Sequence, residues 1–161
     1  MKILMVCLGN ICRSPLAEGI LKSKLKGHGV EDVVVDSAGI SSYHIGEKPD
    51  PRTMKNARKH GIDLSDQRAR QFRPVDFDRF DLIYAADRSI YDALCSMAQT
   101  PEQLKKVKMM TEEAFSGQML DVPDPYYGTE KDFESVFQLV DIACDAIVQK
   151  YFVKKQSAQD G

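Results

Sequence analysis

A single stretch decides the fold of this chain, and it reads Lys2-Ile3-Leu4-Met5-Val6-Cys7-Leu8-Gly9-Asn10-Ile11-Cys12-Arg13-Ser14-Pro15. The run from Lys2 to Val6 is short, apolar and without alternation, which predicts a strand buried on both faces of a parallel sheet. Pro15 suits the first position of a helix, where a missing backbone N–H costs nothing. The residues between the two therefore predict a tight loop that joins a strand end to a helix start.

This loop has the residue types of an anion-binding site. The start of a helix presents unpaired N–H groups and a partial positive charge, which together favour a bound anion. Gly9 and Asn10 tolerate a positive φ, so the loop can curl until successive N–H groups point inward. Arg13 adds a planar guanidinium that matches two oxygens of a phosphate. We expect the loop to hold a phosphate group.

Cys7 lies where this loop begins, so its sulfur would face the bound anion. A thiol reacts as its thiolate, and the positive helix end favours that form. The hydroxyl of Ser14 could donate a hydrogen bond to the thiolate and help it act as a leaving group. The simpler alternative is a buried cysteine at a strand end with an arginine nearby by chance. The preceding strand, the Gly-Asn pair and the following proline together favour the nucleophile.

A second candidate stretch, Asp124-Pro125-Tyr126-Tyr127-Gly128, follows much later in the chain. Removing a phosphoryl group from tyrosine requires a proton for the departing phenolate, and a carboxylic acid on a loop near the anion can supply it. Taken alone, the stretch describes a surface turn with two exposed tyrosines. Paired with the Cys7 loop, it favours a catalytic role for Asp124.

Composition limits the other possibilities. The chain has 161 residues, of which 43% are hydrophobic and 29% charged, as in ordinary single-domain globular proteins. The net charge of −2 argues against nucleic acid or a membrane surface as partner. The longest apolar run, Ile3 to Leu8, is too short to span a bilayer and lacks the layout of a signal peptide.

The cysteines indicate a reducing, cytoplasmic setting. They are Cys7, Cys12, Cys95 and Cys144, a spacing that does not form the disulfide framework of a small secreted protein. The sequence contains no Cys-x2-Cys pair and no paired histidines, so we expect neither a zinc site nor another metal. A nucleophilic thiolate would itself need a reducing compartment.

The remaining patterns predict an α/β fold: a single domain, residues 1–155, with a four-stranded, mostly parallel sheet and helices on both faces. The other predicted strands are Val33–Ser37, Leu82–Ala86 and Val107–Met110. Three further helix starts are predicted. One is Asp50-Pro51, with Asp50 as N-cap; the second is Ser89, as N-cap of a helix that ends at Met97; the third is the capping box Thr129-x-x-Asp132. Residues 156–161 are expected to form a flexible tail.

The stretch from Cys7 to Pro15, followed by Ala17-Glu18, resembles the motif of the low molecular weight protein tyrosine phosphatases. Asp36-Ser37-Ala38-Gly39 is similar to the end of the second strand in that family, and Asp124 to Gly128 to its general-acid loop. The resemblance implies a phosphotyrosine-protein phosphatase that needs no cofactor and works through a phosphocysteine. It implies Cys7 as nucleophile, Arg13 as phosphate clamp and Asp124 as general acid and then base.

The resemblance also implies supporting roles for further residues. The phosphate-binding loop would comprise Leu8, Gly9, Asn10, Ile11, Cys12 and Ser14. Ser37 and His60 would hold this loop by hydrogen bonds, although His60 alone reads as a histidine at a helix end. Tyr43, Tyr126 and Tyr127 would wall the pocket against the substrate ring. Cys12 is either a regulatory disulfide partner of Cys7, as in the family, or a small buried thiol.

The sequence is compatible with more than one interpretation on three points. The first point is the function. The alternatives are an arsenate reductase on the same fold, which would need two further cysteines close together, and a non-catalytic phosphotyrosine-binding module, which would not need Asp124. The second concerns Tyr43, which stands where relatives often have tryptophan and so affects substrate preference. The third is the basic cluster Arg68, Arg70 and Arg73, which is either a solvated face or a surface that attracts acidic substrates or positions a carboxylate. We expect a monomer that acts on phosphotyrosine proteins or aryl phosphates.

Overall fold

The computed structural model describes residues 1–153, which form one four-stranded sheet with helices packed against it. In chain order the elements are β1 (Lys2–Cys7), α1 (Arg13–Gly27), β2 (Val34–Gly39), α2 (Pro51–Lys59), α3 (Asp76–Arg79), β3 (Leu82–Ala85), α4 (Arg88–Met97), α5 (Pro101–Lys106), β4 (Val107–Met109) and α6 (Glu130–Tyr151). The strand order is β2-β1-β3-β4 and every pairing is parallel. The predicted α/β fold is confirmed; the predicted tail lies outside the described residues.

β1 is the central element of the core because both of its faces are covered. Ile3 and Met5 face the layer that contains α1 and α6, while Leu4 and Val6 face the layer that contains α4. All four of these side chains are fully buried. Burial on both faces explains why the sequence of β1 is apolar throughout and does not alternate with polar residues. The prediction of helices on both faces of the sheet is also confirmed.

The carboxyl ends of the parallel strands meet at one edge of the sheet, where ligands of open α/β sheets bind. Cys7, the last residue of β1, lies in register with Gly39, the last residue of β2. A Cβ atom on Gly39 would lie 2.8 Å from the carbonyl oxygen of Leu8 and 3.0 Å from the backbone nitrogen of Asn10. Only glycine therefore allows β2 to end directly beneath the Cys7–Ser14 loop.

Of the four predicted helix starts, two are confirmed and two are wrong. α1 begins at Arg13, so Pro15 is its third residue and not its first. Asp50 accepts a hydrogen bond from the backbone N–H of Arg52 at 2.8 Å, and Thr129 forms the expected capping box with Asp132. The N-cap of α4 is Asp87 and not Ser89, since its Oδ1 accepts from the N–H of Ile90 at 2.9 Å. Both residue types cap helices well, but β3 ends early enough for the chain to enter the helix at Asp87.

α3 was not predicted, and the segment from Ile62 to Phe72 before it has no helix. Within this segment Arg70 pairs with Asp36 and with the buried Asp76, at 3.1 and 3.0 Å. Part of the predicted basic cluster therefore does position carboxylates. Within residues 1–153, no helix has both the length and the apolar character needed to cross a membrane.

Candidate active site

Asn10 organises the loop between β1 and α1. Its backbone has φ +57°, in the left-handed region that asparagine tolerates. Its side-chain Nδ2 donates to the hydroxyls of Ser14 at 2.7 Å and Ser37 at 3.0 Å. Its Oδ1 accepts from the backbone N–H of Arg70 at 3.0 Å. Three separate parts of the chain thus fix the loop through one buried amide.

The same network orients a proton toward Cys7. The Sγ of Cys7 lies 2.9 Å from the hydroxyl oxygen of Ser14. Because Asn10 donates to that oxygen, the Ser14 hydroxyl keeps its own hydrogen for the sulfur. The other acceptor within reach, the carbonyl of Ala38, is 3.5 Å away, which is too long for a good O–H···O bond. Ser14 is therefore placed to stabilise a thiolate at Cys7.

Glu18 extends this network and was not predicted as a site residue. Ser37 accepts from Asn10 and donates its own hydroxyl to Oε1 of Glu18 at 2.7 Å. Glu18 is 4% exposed, and its other oxygen pairs with Lys22 at 2.6 Å. The sequence shows an acidic residue next to the motif, but it indicates neither the burial of Glu18 nor its contact with Ser37.

His60 does not take part in the network, so its predicted supporting role is wrong. Its Nε2 lies 2.7 Å from Oε1 of Glu134, and its ring stacks on Phe137 with centroids 3.8 Å apart. The reason is geometric: α2 packs against α6, and His60, which ends α2, meets α6 there. His60 does lie at the end of a helix, as the sequence alone indicated, but its link to Glu134 in α6 was not predicted.

Arg13 is almost fully buried and held by two partners. Its Nη1 donates to Oδ2 of Asp87 at 2.5 Å and to the carbonyl of Val122 at 3.0 Å. Burial opposes its charged form, but the nearby Cys7 and Asp87 more than offset this and raise the pKa of Arg13. The guanidinium thus stays charged and in a fixed orientation. Asp87 lies two residues after the end of β3, so the sheet edge brings it beside Arg13 although they are far apart in sequence.

Asp124 reaches the site on the loop before α6. The loop is anchored where the backbone N–H of Val122 donates to the carbonyl of Ala86 at 2.8 Å. Oδ1 of Asp124 accepts from the N–H of Tyr126 at 3.1 Å, and Oδ2 lies 3.8 Å from Nη2 of Arg13. The side chain is 45% exposed. One carboxylate oxygen is therefore tied to its own loop while the other faces the guanidinium.

These groups open onto one cleft of about 430 Å³. Its lining comprises Cys7, Leu8, Gly9, Ile11, Cys12, Arg13, Ser41, Tyr43, His44, Asp124, Tyr126 and Tyr127. Asn10, Ser14 and Ser37 lie behind the loop as its supports. The predicted wall residues Tyr43, Tyr126 and Tyr127 are at the rim, whereas Ser41 and His44 were not predicted. The pattern of small polar residues after β2 gave no sign of which would face the cleft.

Two of the other three cysteines, Cys12 and Cys144, are buried thiols. Burial raises the pKa of Cys12 to about 12, so its thiol is protonated at neutral pH. Burial also raises the pKa of Cys144, which lies in α6. Cys95 lies in α4 on the opposite face of the sheet from α6. All four cysteines are free thiols. Within the described part of the chain, no group of three or more His, Cys, Asp or Glu side chains is arranged to hold a metal ion.

Comparison with known proteins decides the family. Residues 2–158 match the family model described as low molecular weight phosphotyrosine protein phosphatase.

The chain belongs to the low molecular weight phosphotyrosine protein phosphatase family.

Family members from distant organisms resemble the chain over most of its length. The low molecular weight protein-tyrosine-phosphatase of Streptomyces coelicolor is 39% identical over 150 residues, which cover 91% of each chain. The low molecular weight phosphotyrosine protein phosphatase of Sus scrofa is 38% identical, over 92% of this chain and 94% of its own. The crystal structure of a protein tyrosine phosphatase from Entamoeba histolytica superposes with a TM-score of 0.87 at 38% identity, over 93% of this chain and 96% of that one.

Proposed function

We propose that this phosphatase hydrolyses phosphotyrosine in proteins, and simple aryl phosphates, by double displacement at Cys7. The observation that supports this most strongly is the shared cleft of Cys7, Arg13 and Asp124. A thiol, a guanidinium and a carboxyl group serve as nucleophile, phosphate clamp and proton donor respectively. A module that only bound phosphotyrosine would need the guanidinium but would have no use for the other two groups.

In the first step the Cys7 thiolate attacks phosphorus, and a sulfur–phosphorus bond forms as the phosphorus–aryl oxygen bond breaks. The electron pair of that bond goes to the phenolic oxygen, which takes a proton from Asp124. Arg13 and the inward N–H groups of the loop hold the equatorial oxygens, where negative charge is spread in the transition state. The products of this step are free tyrosine side chain and phosphocysteine.

In the second step water attacks the phosphocysteine, and the carboxylate of Asp124 removes the proton from that water. The sulfur–phosphorus bond breaks, its electron pair returns to the sulfur, and inorganic phosphate leaves. The Ser14 hydroxyl, 2.9 Å from Sγ, stabilises the departing thiolate. Asp124 ends protonated and Cys7 ends ionised, so both are ready for the next substrate. No metal or cofactor is required by this scheme.

The aromatic rim supports a tyrosine substrate. Tyr126 and Tyr127 pack edge to face with ring centroids 5.0 Å apart, and Tyr43 stands in the same lining. Such rings offer flat apolar surface to a substrate phenyl group. Because the reactive sulfur lies beneath this rim, a long aryl phosphate would reach it more easily than a phosphoserine, whose phosphate is close to its backbone.

We also propose a cytoplasmic monomer that binds neither nucleic acid nor membranes. Free cysteines and a catalytic thiolate fit a reducing compartment, and the net charge of −2 fits a protein without a nucleic-acid partner. An arsenate reductase would need a thiol pair to relay a disulfide, and Cys95 and Cys144 lie on opposite faces of the sheet.

The test is hydrolysis of p-nitrophenyl phosphate and a phosphotyrosine peptide in the presence of EDTA and a reductant. We expect the wild type to turn over both, Cys7→Ser to be inactive, and the matched variant Cys95→Ser to retain full activity. Asp124→Ala should lose about 10²- to 10⁴-fold in kcat on the peptide, the usual contribution of a general acid. An inactive wild type, or an active Cys7→Ser, would overturn the proposal.

A further inference from the structure

A second, larger cavity lies next to the catalytic cleft, and we call it the basic groove. Its volume is about 690 Å³, and its lining comprises Lys2, Val34, Asp36, Ile45, Arg70, Gln71, Arg73, Arg79 and Phe80. The groove follows the exposed side of β2 and the segment that connects α2 to β3. Nothing in the phosphatase reaction described above uses it.

The groove carries an excess of positive charge. Among its lining residues four are cationic and only Asp36 is acidic. The guanidinium of Arg70 is already neutralised, since it forms ion pairs with Asp36 and Asp76. Within residues 1–153, the side chains of Lys2, Arg73 and Arg79 form neither a hydrogen bond nor an ion pair, and all three residues are exposed. Because the whole chain has a net charge of −2, this basicity is local.

The groove is not only charged. Val34 and Ile45 are 50% and 57% exposed, and the largely buried Phe80 also belongs to the lining. A lining that mixes exposed cations with apolar surface suits an extended peptide, whose acidic side chains can meet the cations while its aliphatic parts cover the apolar floor. A small inorganic anion would leave this apolar surface bare.

The groove and the catalytic cleft share one loop. Tyr43 and His44 line the cleft, and the next residue, Ile45, lines the groove. Two residues of chain span at most about 7 Å, so a peptide held in the cleft by its phosphotyrosine needs only a few residues to reach the groove. Arg70 forms a second link, because its guanidinium lines the groove while its backbone N–H holds Asn10 of the phosphate-binding loop.

We propose that the basic groove binds an acidic segment of the phosphoprotein substrate, a few residues away from the phosphotyrosine. This rests on the proposed phosphatase function and adds the substrate class to it: phosphotyrosine followed or preceded by a run of Asp and Glu. Charge complementarity of this kind speeds association and selects partners more than it stabilises the complex. The groove should therefore act on KM and on kcat/KM, and leave kcat unchanged.

The test compares matched phosphotyrosine peptides that differ only in a run of four residues, Glu against Gln, placed on either side of the phosphotyrosine. We expect the wild type to prefer one Glu peptide over its Gln counterpart by about three- to tenfold in kcat/KM, the size of one or two exposed ion pairs. The preference should appear in KM and shrink as salt is raised from about 0.05 to 0.5 M. Equal kcat/KM values for all four peptides would overturn the proposal.

The matched variants are Arg73→Gln/Arg79→Gln and, as charge control, Lys26→Gln/Lys131→Gln, which removes two exposed cations from α1 and α6 on the other side of the sheet. We expect the first pair to abolish the Glu preference and the control pair to retain it. Both should hydrolyse p-nitrophenyl phosphate like the wild type, because this substrate cannot reach the groove. An equal loss of preference in both variants would show a general charge effect and contradict the proposal.

Binding separates this proposal from the phosphatase function itself. Fluorescence anisotropy of the labelled peptides with the Cys7→Ser variant measures their binding affinity without turnover. A Glu preference in binding, lost in Arg73→Gln/Arg79→Gln, would support the groove even if catalysis were absent. Equal binding of the Glu and Gln peptides would refute the groove proposal even if catalysis were normal. So would a site that depends on Arg73 and Arg79 and binds inorganic tripolyphosphate but no Glu peptide.

Discussion

Arg13 and Asp87 are joined by a hydrogen-bonded ion pair of 2.5 Å between Nη1 and Oδ2, although 74 residues separate them. The same carboxylate caps α4 through its other oxygen, which accepts from the N–H of Ile90. One side chain therefore fixes both the guanidinium that we propose as phosphate clamp and the start of a helix. The orientation of Arg13 depends on the position of β3 and α4 as much as on its own loop.

Replacing Asp87 with Asn tests this link. Asn is also a good N-cap, so α4 should keep its start, but the charge that holds Arg13 is lost. We expect kcat/KM on a phosphotyrosine peptide to fall about 10- to 100-fold, because small misplacements of positioning groups have effects of this size. Asp92→Asn, on the exposed side of the same helix, is the control and should leave kcat/KM unchanged. Activity of Asp87→Asn within twofold of wild type would contradict the role of the pair.

Asn10→Ala should destabilise the protein and disable the loop. The substitution removes three hydrogen bonds, to Ser14, Ser37 and Arg70, each worth about 1 kcal/mol, and puts alanine at a positive φ. We expect a loss of about 3 kcal/mol or more in the free energy of unfolding, measured by urea denaturation. Asn10→Gly loses the same bonds without the backbone strain, so its loss should be smaller. A greater loss for Gly than for Ala would show that the φ of Asn10 is not a constraint.

The sequence predicted most of the fold because the main elements carry strong local patterns. The β1 strand is apolar on both faces and its loop combines Gly, Asn and Pro, so the βα unit and the position of Cys7 follow from local chemistry. The capping residues Asp50 and Thr129 marked two helices for the same reason. The short α3 was missed because its four residues, Asp76–Arg79, carry no periodicity that differs from a loop.

Contacts between distant segments could not be predicted in this way. The Glu18–Ser37 bond depends on how α1 crosses the sheet, and the choice of Asp87 over Ser89 as N-cap depends on where β3 ends. His60 was assigned to the loop network by resemblance, whereas the packing of α2 on α6 places it against Glu134. The errors at Ser89 and His60 both concern a side chain whose partner is set by packing.

The Glu134 site predicts a specific loss of stability in acid. The hydrogen bond with His60, followed by those with Gln138 and Asn56, lowers the pKa of Glu134 from its usual value of 4.5 to about 2. A carboxyl whose pKa is lowered by folding stabilises the protein above its unfolded pKa, and this contribution disappears as pH falls through the folded pKa. The gain is therefore present above about pH 4.5 and lost toward pH 2.

Glu134→Gln measures that contribution directly. We expect the variant to have a lower Tm than wild type at pH 6, and the difference to shrink steadily between about pH 4.5 and pH 2. Glu31→Gln, an exposed residue between α1 and β2, should show no such trend. A Tm difference that is constant across this range would contradict the pKa direction assigned to Glu134.

Alkylation should distinguish Cys7 from the other buried cysteines. With a pKa of about 12, Cys12 is almost entirely protonated at pH 7, and burial protects Cys144 in the same way. We expect iodoacetamide to label Cys7 first, with loss of activity, and inorganic phosphate to slow that labelling. Peptide mapping by mass spectrometry gives the site. Labelling of Cys12 at the rate of Cys7 would contradict the assignment of the nucleophile.

The central claim is that the phosphoryl group passes through Cys7 and leaves with the help of Asp124. The most direct measurement is trapping of the intermediate in Asp124→Ala by rapid acid quench with p-nitrophenyl phosphate, whose leaving group departs without an acid. Because the first step then outpaces the second, we predict one phosphoryl group per chain, located by mass spectrometry on the sulfur of Cys7 and missing in Asp124→Ala/Cys7→Ser. Continued release of p-nitrophenol with the phosphoryl group on another residue, or on none, would contradict the account.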